Sequence, residues 1–367
     1  GTHPLRYSPS QMILVGDGKL AAVTIHGVSI IGSDGTLLAF FAGGGAAYPT
    51  IGSDGPYVFF TRWNQVAKID TSLNPPQIVG TYDVSATLHG PADVVVVDGK
   101  VYMNGYYTGV GSRVAVMNED GTGLQDTGIP VSGEFVNSIY AAPQAPGRLL
   151  VGESHAYNLY DVTTTPVTQL WSHPYPSGLR NLFHVAFSWN GDTFFAKDDA
   201  GPYREVSMAT GDLTGVTLPV IGHVATSPAT SRIAISTSNG LSVYEPGSSV
   251  PSWTYPDDSS LDLDMPVWDA AGTSLYVASW FSLYRVYPDR GKAQLDLSSP
   301  DGKRFDFGTP VQLTADLVTG TPGDQVRIVS GIINYSDSSP VAAGPVDGSG
   351  TFAATVEPEH HESCYSA

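Results

Sequence analysis

Short apolar runs punctuated by Gly, Pro, Asp and Asn turns recur along the chain from about residue 10 to residue 297. One unit repeats: an alternating strand, a turn, a strongly apolar strand, a variable loop, an amphipathic strand, another turn and a weaker strand. The apolar second strands align as Leu20-Ala-Ala-Val, Tyr57-Val-Phe-Phe, Val101-Tyr-Met, Leu149-Leu-Val, Phe194-Phe-Ala, Ile233-Ala-Ile and Leu275-Tyr-Val. The six steps from Leu20 to Leu275 average about 42 residues, the period of a four-stranded propeller blade. Third strands follow in register, among them Val66-Ala-Lys-Ile-Asp, Tyr157-Asn-Leu-Tyr-Asp and Leu283-Tyr-Arg-Val-Tyr. Polar turns such as Gly32-Ser-Asp-Gly and Asn118-Glu-Asp-Gly close them, with Gly supplying the positive φ.

This pattern has a physical reading. A strand that is apolar on both faces needs cover on both sides, and neighbouring blades provide it. A strand that alternates sends one set of side chains between blades and the other outward. Seven units arranged radially close a ring and leave only short outer edges. The expectation is an all-β chain with almost no helix, residues 1–297 forming a seven-bladed β-propeller of four antiparallel strands per blade.

The segments His184-Val-Ala-Phe-Ser-Trp-Asn-Gly-Asp-Thr-Phe-Phe-Ala and Pro266-Val-Trp-Asp-Ala-Ala-Gly-Thr-Ser-Leu-Tyr-Val-Ala resemble blades of the surface-layer and YncE-like propeller superfamily. The resemblance spans roughly residues 10–297 and implies a fold, not an activity. Two other propeller signatures are absent. The one Trp-Asp pair, Trp268-Asp269, ends a first strand, the wrong place for a WD40 blade, and no sialidase-type Asp box occurs. After Leu297 the period stops. Phe307-Gly-Thr-Pro-Val-Gln-Leu-Thr-Ala-Asp-Leu and Val346-Asp-Gly-Ser-Gly-Thr-Phe-Ala-Ala-Thr-Val resemble the immunoglobulin-like repeat of secreted bacterial, particularly actinobacterial, proteins. A complete sandwich of that kind takes about 100 residues. Residues 298–367 are therefore expected to form an incomplete immunoglobulin-like β-sandwich. Its missing strand would lie beside Ser363-Cys-Tyr-Ser-Ala, supplied by further chain or by a strand-donating partner.

Charge narrows the partners. Asp and Glu number 35 against 17 Lys and Arg, a net charge of −18. Such a surface repels nucleic acid and anionic lipid, so neither is an expected partner. No apolar run reaches the roughly 18–20 residues of a membrane helix, so membrane insertion is not expected. The opening Gly-Thr-His-Pro has no leader pattern, which reads as a signal peptide removed or never built. A single cysteine, Cys364, rules out an intrachain disulfide and a thiolate metal cluster.

Candidate chemistry belongs on the channel face, where inter-blade connections and second-to-third-strand loops converge. First strands are expected to bring Tyr48, Asp93, Asn137, His184, His223 and Asp264 to the channel, His184 and His223 from equivalent positions. The loops add His26, Arg62, Trp63, Tyr106, Tyr107, Glu153, His155, Lys197, Trp280 and Phe281. The ligand-binding set is thus expected to be Tyr48, Arg62, Trp63, Tyr106, Tyr107, His155, His184, His223, Asp264 and Trp280, with the aromatics as a stacking rim. Bland roles compete with each of these: histidines hydrogen-bonded to channel water, and aromatics packed between blades. No nucleophile elbow, phosphate loop or dinucleotide glycine pattern is present, and no histidine spacing supports a metal. No cofactor or metal is expected. The reading is a secreted, lectin-like recognition protein that binds a carbohydrate or protein ligand. The competing reading is a polysaccharide lyase with a His or Tyr base and Arg62, Arg180 or Lys197 neutralising the enolate.

Overall fold

The computed structural model of the 367-residue chain describes residues 9–33, 35–43, 50–107, 111–129, 136–142, 144–175, 182–197, 202–218, 222–237, 240–256, 264–279, 282–286, 288, 295–298, 311–317, 325–331, 339–345, 347–349, 351–356 and 364–366. The chain forms two compact units, residues 2–286 and a C-terminal one starting at Tyr287.

The larger unit consists of seven antiparallel meanders, each with strands in sequence order. Blade 1 comprises Gln11–Val15, Lys19–Thr24, Gly27–Ile31 and Leu37–Ala42. Blade 2 comprises Ile51–Asp54, Tyr57–Arg62, Gln65–Asp70 and Gln77–Asp83. Blade 3 comprises Val94–Val97, Lys100–Tyr107, Gly111–Asn118 and the short Gln125–Asp126. Blade 4 comprises Val136–Ala141, Arg148–Glu153, Ala156–Asp161 and Thr168–Pro174. Blade 5 comprises Phe183–Phe187, Thr193–Lys197, Tyr203–Ser207 and Leu213–Leu218. Blade 6 comprises His223–Thr226, Ile233–Thr237, Gly240–Tyr244 and Pro251–Pro256. Blade 7 comprises Asp264–Trp268, Leu275–Ser279 and Ser282–Val286. It therefore holds three strands among the described residues, not the expected four. The next described strand, Leu295–Ser298, pairs with Val311–Leu317 and belongs to the C-terminal unit.

Strand alternation builds the ring. In blade 1, Ala21 and Val23 pack with Ile51, Val58 and Phe60 of blade 2, while Leu20 and Ala22 pack with Tyr276 and Ala278 of blade 7. The same division repeats at every second strand. Phe59 faces Val101 and Met103, Tyr102 faces Leu149 and Val151, and Leu150 faces Phe194 and Ala196. Phe195 faces Ile233 and Ile235, and Ala234 faces Leu275 and Val277. Each of the seven interfaces thus has its own apolar cluster, and the last joins blade 7 to blade 1. First strands approach closely at the axis: a Cβ on Gly52 would lie 2.9 Å from Val95 Cα.

The C-terminal unit contains two three-stranded antiparallel sheets. One has the order Leu295–Ser298, Val311–Leu317, Thr351–Val356; the other Ser339–Pro345, Gln325–Gly331, Cys364–Ser366. A Cβ on Gly344 would come 2.5 Å from the Phe352 ring, so the two sheets lie against each other at that point.

Candidate functional site

In a four-strand meander the start of the first strand and the turn between strands two and three lie at the same end. Polar ties between neighbouring first strands level these ends around the axis. Gln11 Oε1 accepts from the Ile51 amide at 2.8 Å, and Thr50 Oγ1 from the Val94 amide at 2.9 Å. Asp93 Oδ2 accepts from the Ile139 amide at 3.2 Å, and Ser138 Oγ donates to the Leu182 carbonyl at 2.7 Å. His223 Nε2 meets Asp264 Oδ1 at 2.9 Å. These ties join blades 1 to 5 in succession and blade 6 to blade 7, and hold their first strands side by side around the channel mouth.

Much of the expected polar lining is consumed by these ties. Asp93 is buried and also receives Asn104 Nδ2 at 3.1 Å. Burial pushes its carboxyl up to about 7, against hydrogen bonds from Ile139, Thr50 and Asn104 that favour the ionised form. Glu153, equally buried, accepts from Asn158 Nδ2 at 2.8 Å. Lys197 Nζ and the Tyr203 hydroxyl both donate to the Gly222 carbonyl, at 2.8 and 2.7 Å, one residue before His223. Burial raises the Tyr203 and Tyr175 phenols well above their ordinary range. Among the described residues no group of three or more His, Cys, Asp or Glu side chains could hold a metal.

The expected ligand set separates into parts. Tyr48 and Trp280 lie outside the described residues, as do Arg180 and Phe281. Tyr106 and Tyr107 end the second strand of blade 3, opposite Ser112 and Gly111, and His184 lies in the first strand of blade 5. The side chains of those three are outside the described set. His155 is exposed at the second-to-third turn of blade 4, where its carbonyl accepts from the Tyr175 amide at 3.1 Å. His223 and Asp264 are brought together across blades 6 and 7. Arg62 and Trp63 sit at the turn tip of blade 2, with Trp63 71% exposed. Trp63 is exposed and is not packed between blades.

Two members of the lining escaped sequence reasoning. Tyr203 reads as a routine third-strand packing residue, and only the fold shows its hydroxyl sharing a carbonyl with Lys197. Asn104 sits inside an apolar second strand, and that lone amide is the signal that pointed to a buried polar partner. No known family model matches the chain, and neither does any curated protein. No described helix is long and apolar enough to cross a membrane.

Proposed function

We propose that this chain is a secreted recognition protein whose propeller binds a carbohydrate or protein ligand on the channel face. The propeller fold is compatible with a binding role, because its levelled strand ends and turn tips form one broad face. The observation that carries the reading is Trp63: a large aromatic, 71% exposed, on an anchored turn of that face. Solvent-facing indoles of this kind cover flat apolar surfaces of a ligand while their edges stay wet.

The likeness of the blades to the surface-layer and YncE-like superfamily, and of the C-terminal segment to an immunoglobulin-like repeat, supports an extracellular setting. In this reading the C-terminal unit is a spacer, and the outer edge of Cys364–Ser366 accepts a strand from a partner by β-augmentation. The eliminating-enzyme reading has weaker support. His223 commits Nε2 to Asp264 and keeps Nδ1 shut from solvent. Tyr175 and Tyr203 are held protonated by burial, and Lys197 is spent on a backbone carbonyl.

A glycan array probed with the full chain tests the reading. A defined set of bound glycans is expected, and replacing Trp63 with Ala should weaken binding of the best by about 1–3 kcal/mol without unfolding. An array with no bound glycan, together with no captured extracellular protein, would remove the proposal.

A further inference from the structure

The turn between the second and third strands of blade 2 carries two features that the fold does not require. Trp63 adopts φ 55°, the left-handed region that glycine and asparagine enter far more easily than a bulky L residue. With 71% of its surface exposed, packing does not offset that strain. Strain maintained without a packing return points to a functional demand on the side chain. The turn itself is fixed: the Asn64 side chain accepts from the Gly90 amide at 3.0 Å and its carbonyl from the Val84 amide at 2.9 Å. The indole is presented by a rigid support.

The second feature is Arg62. It is half-buried, and its guanidinium makes no hydrogen bond or ion pair among the described residues. Lys68, Arg113 and Arg148 are each paired with a carboxylate. In a chain with 35 acidic and 17 basic residues, an unmatched guanidinium is a vacancy for an anion. Arg62 faces blade 1, because a Cβ on Gly43 would lie 2.7 Å from Phe60 Cε2 and 3.7 Å from Arg62 Cγ. The Gly43 amide in turn donates to the His26 carbonyl at 3.0 Å. Arg62 therefore stands beside the exposed Ile25-His26 turn of blade 1, and Trp63 follows it at the tip of the blade 2 turn.

We propose that this turn binds a saccharide ring carrying one carboxylate, a uronate, with the ring on the Trp63 indole and the carboxylate on the Arg62 guanidinium. The inference rests on the recognition reading above and fixes its locus and ligand class. A flat ring suits the indole, and a carboxylate matches the planar fork of arginine. One charge is favoured over many: a single guanidinium matches one carboxylate, and each further anion meets the repulsion of a −18 chain. That argument also disfavours an acidic peptide.

The test is titration of the full chain, followed by ligand-observed NMR, with methyl β-D-glucuronide and methyl α-D-galacturonide against methyl β-D-glucoside and methyl α-D-galactoside. At least one uronide should bind about tenfold tighter than its neutral counterpart, a difference of about 1.4 kcal/mol. Arg62→Gln should erase that preference and leave the weak neutral binding. Trp63→Gly should lose both, with a melting temperature unchanged or raised, because glycine fits the turn. Equal binding of uronide and neutral sugar, retention of the preference in R62Q, or a lower melting temperature in W63G would each overturn the inference. So would Arg62-dependent binding of an acidic peptide in place of a uronide. A glycan-array signal that survives in both variants would sink this site and leave the recognition reading standing; silence on the array and in the titrations would end both.

Discussion

Asp93 shows how a residue can look functional and serve mainly to hold blades together. Its carboxyl lies at the channel mouth and bridges blades 3 and 4 through Asn104 and the Ile139 amide. Burial raises it to about 7, so the folded state holds a proton that the unfolded chain, with an aspartate near its ordinary value of 3.8, has already lost. A raised folded pKa contributes stability that is complete below the unfolded value and disappears as pH climbs through the folded one. Its contribution to the unfolding free energy should therefore decline between about pH 4 and 7, and Asp93→Asn should remove that decline from the profile whatever its effect on absolute stability. Urea melts across this range check it; an unchanged slope in the variant would show that Asp93 is ionised in the fold. Asp161 has the opposite sign. Hydrogen bonds from Thr163 and the Arg148 ion pair lower it to about 2, so its contribution is present above its unfolded pKa and fades only as pH falls toward 2.

At the level of the element, the second strands do most of the structural work. Leu20 and Ala21 are adjacent in sequence, yet Leu20 faces blade 7 and Ala21 faces blade 2. Ring closure depends on this packing, together with a long 3.5 Å contact from the Tyr276 hydroxyl to the Ser33 carbonyl, since blade 1 draws all four of its strands from consecutive sequence. Leu20→Ala should cost about 2–5 kcal/mol, the range for an emptied core site. Val79→Ala, on the fourth strand of blade 2 and 50% exposed, should stay within about 0.5 kcal/mol. Equal losses from the two in chemical denaturation would mean that the interface clusters do not hold the ring. These strands were legible because one physical demand, cover on both faces, repeats seven times in the sequence. The site was less so. His223 and Asp264 face each other only because first strands of successive blades stand side by side, and no local pattern records that neighbour. Trp63 was legible as an aromatic in a loop, but its positive φ and the unpaired Arg62 beside it depend on the turn the backbone adopts.

For the whole molecule, the decisive fact is where the packed interfaces end. All seven apolar clusters are built from residues between Met12 and Val286, including the one that closes the ring. The sequence period places the domain boundary at residues 297/298, before the turn-rich Ser298-Ser-Pro-Asp-Gly-Lys-Arg, and so assigns Leu295-Asp-Leu to the propeller. In the fold that stretch pairs with Val311–Leu317, in register from Leu295 opposite Leu317 to Ser298 opposite Thr314. A fragment of residues 1–286 should therefore fold as a propeller, with a β-type circular dichroism spectrum and one cooperative unfolding transition. A fragment of residues 1–297 keeps the same clusters and adds a strand whose partner has been removed. Unpaired strand backbone recruits other chains, so the longer fragment should aggregate more readily than the shorter one at equal concentration, as read by light scattering. If residues 1–286 fail to fold while 1–297 remain monomeric and cooperative, Leu295–Ser298 is needed by blade 7 and the ring is not complete at Val286.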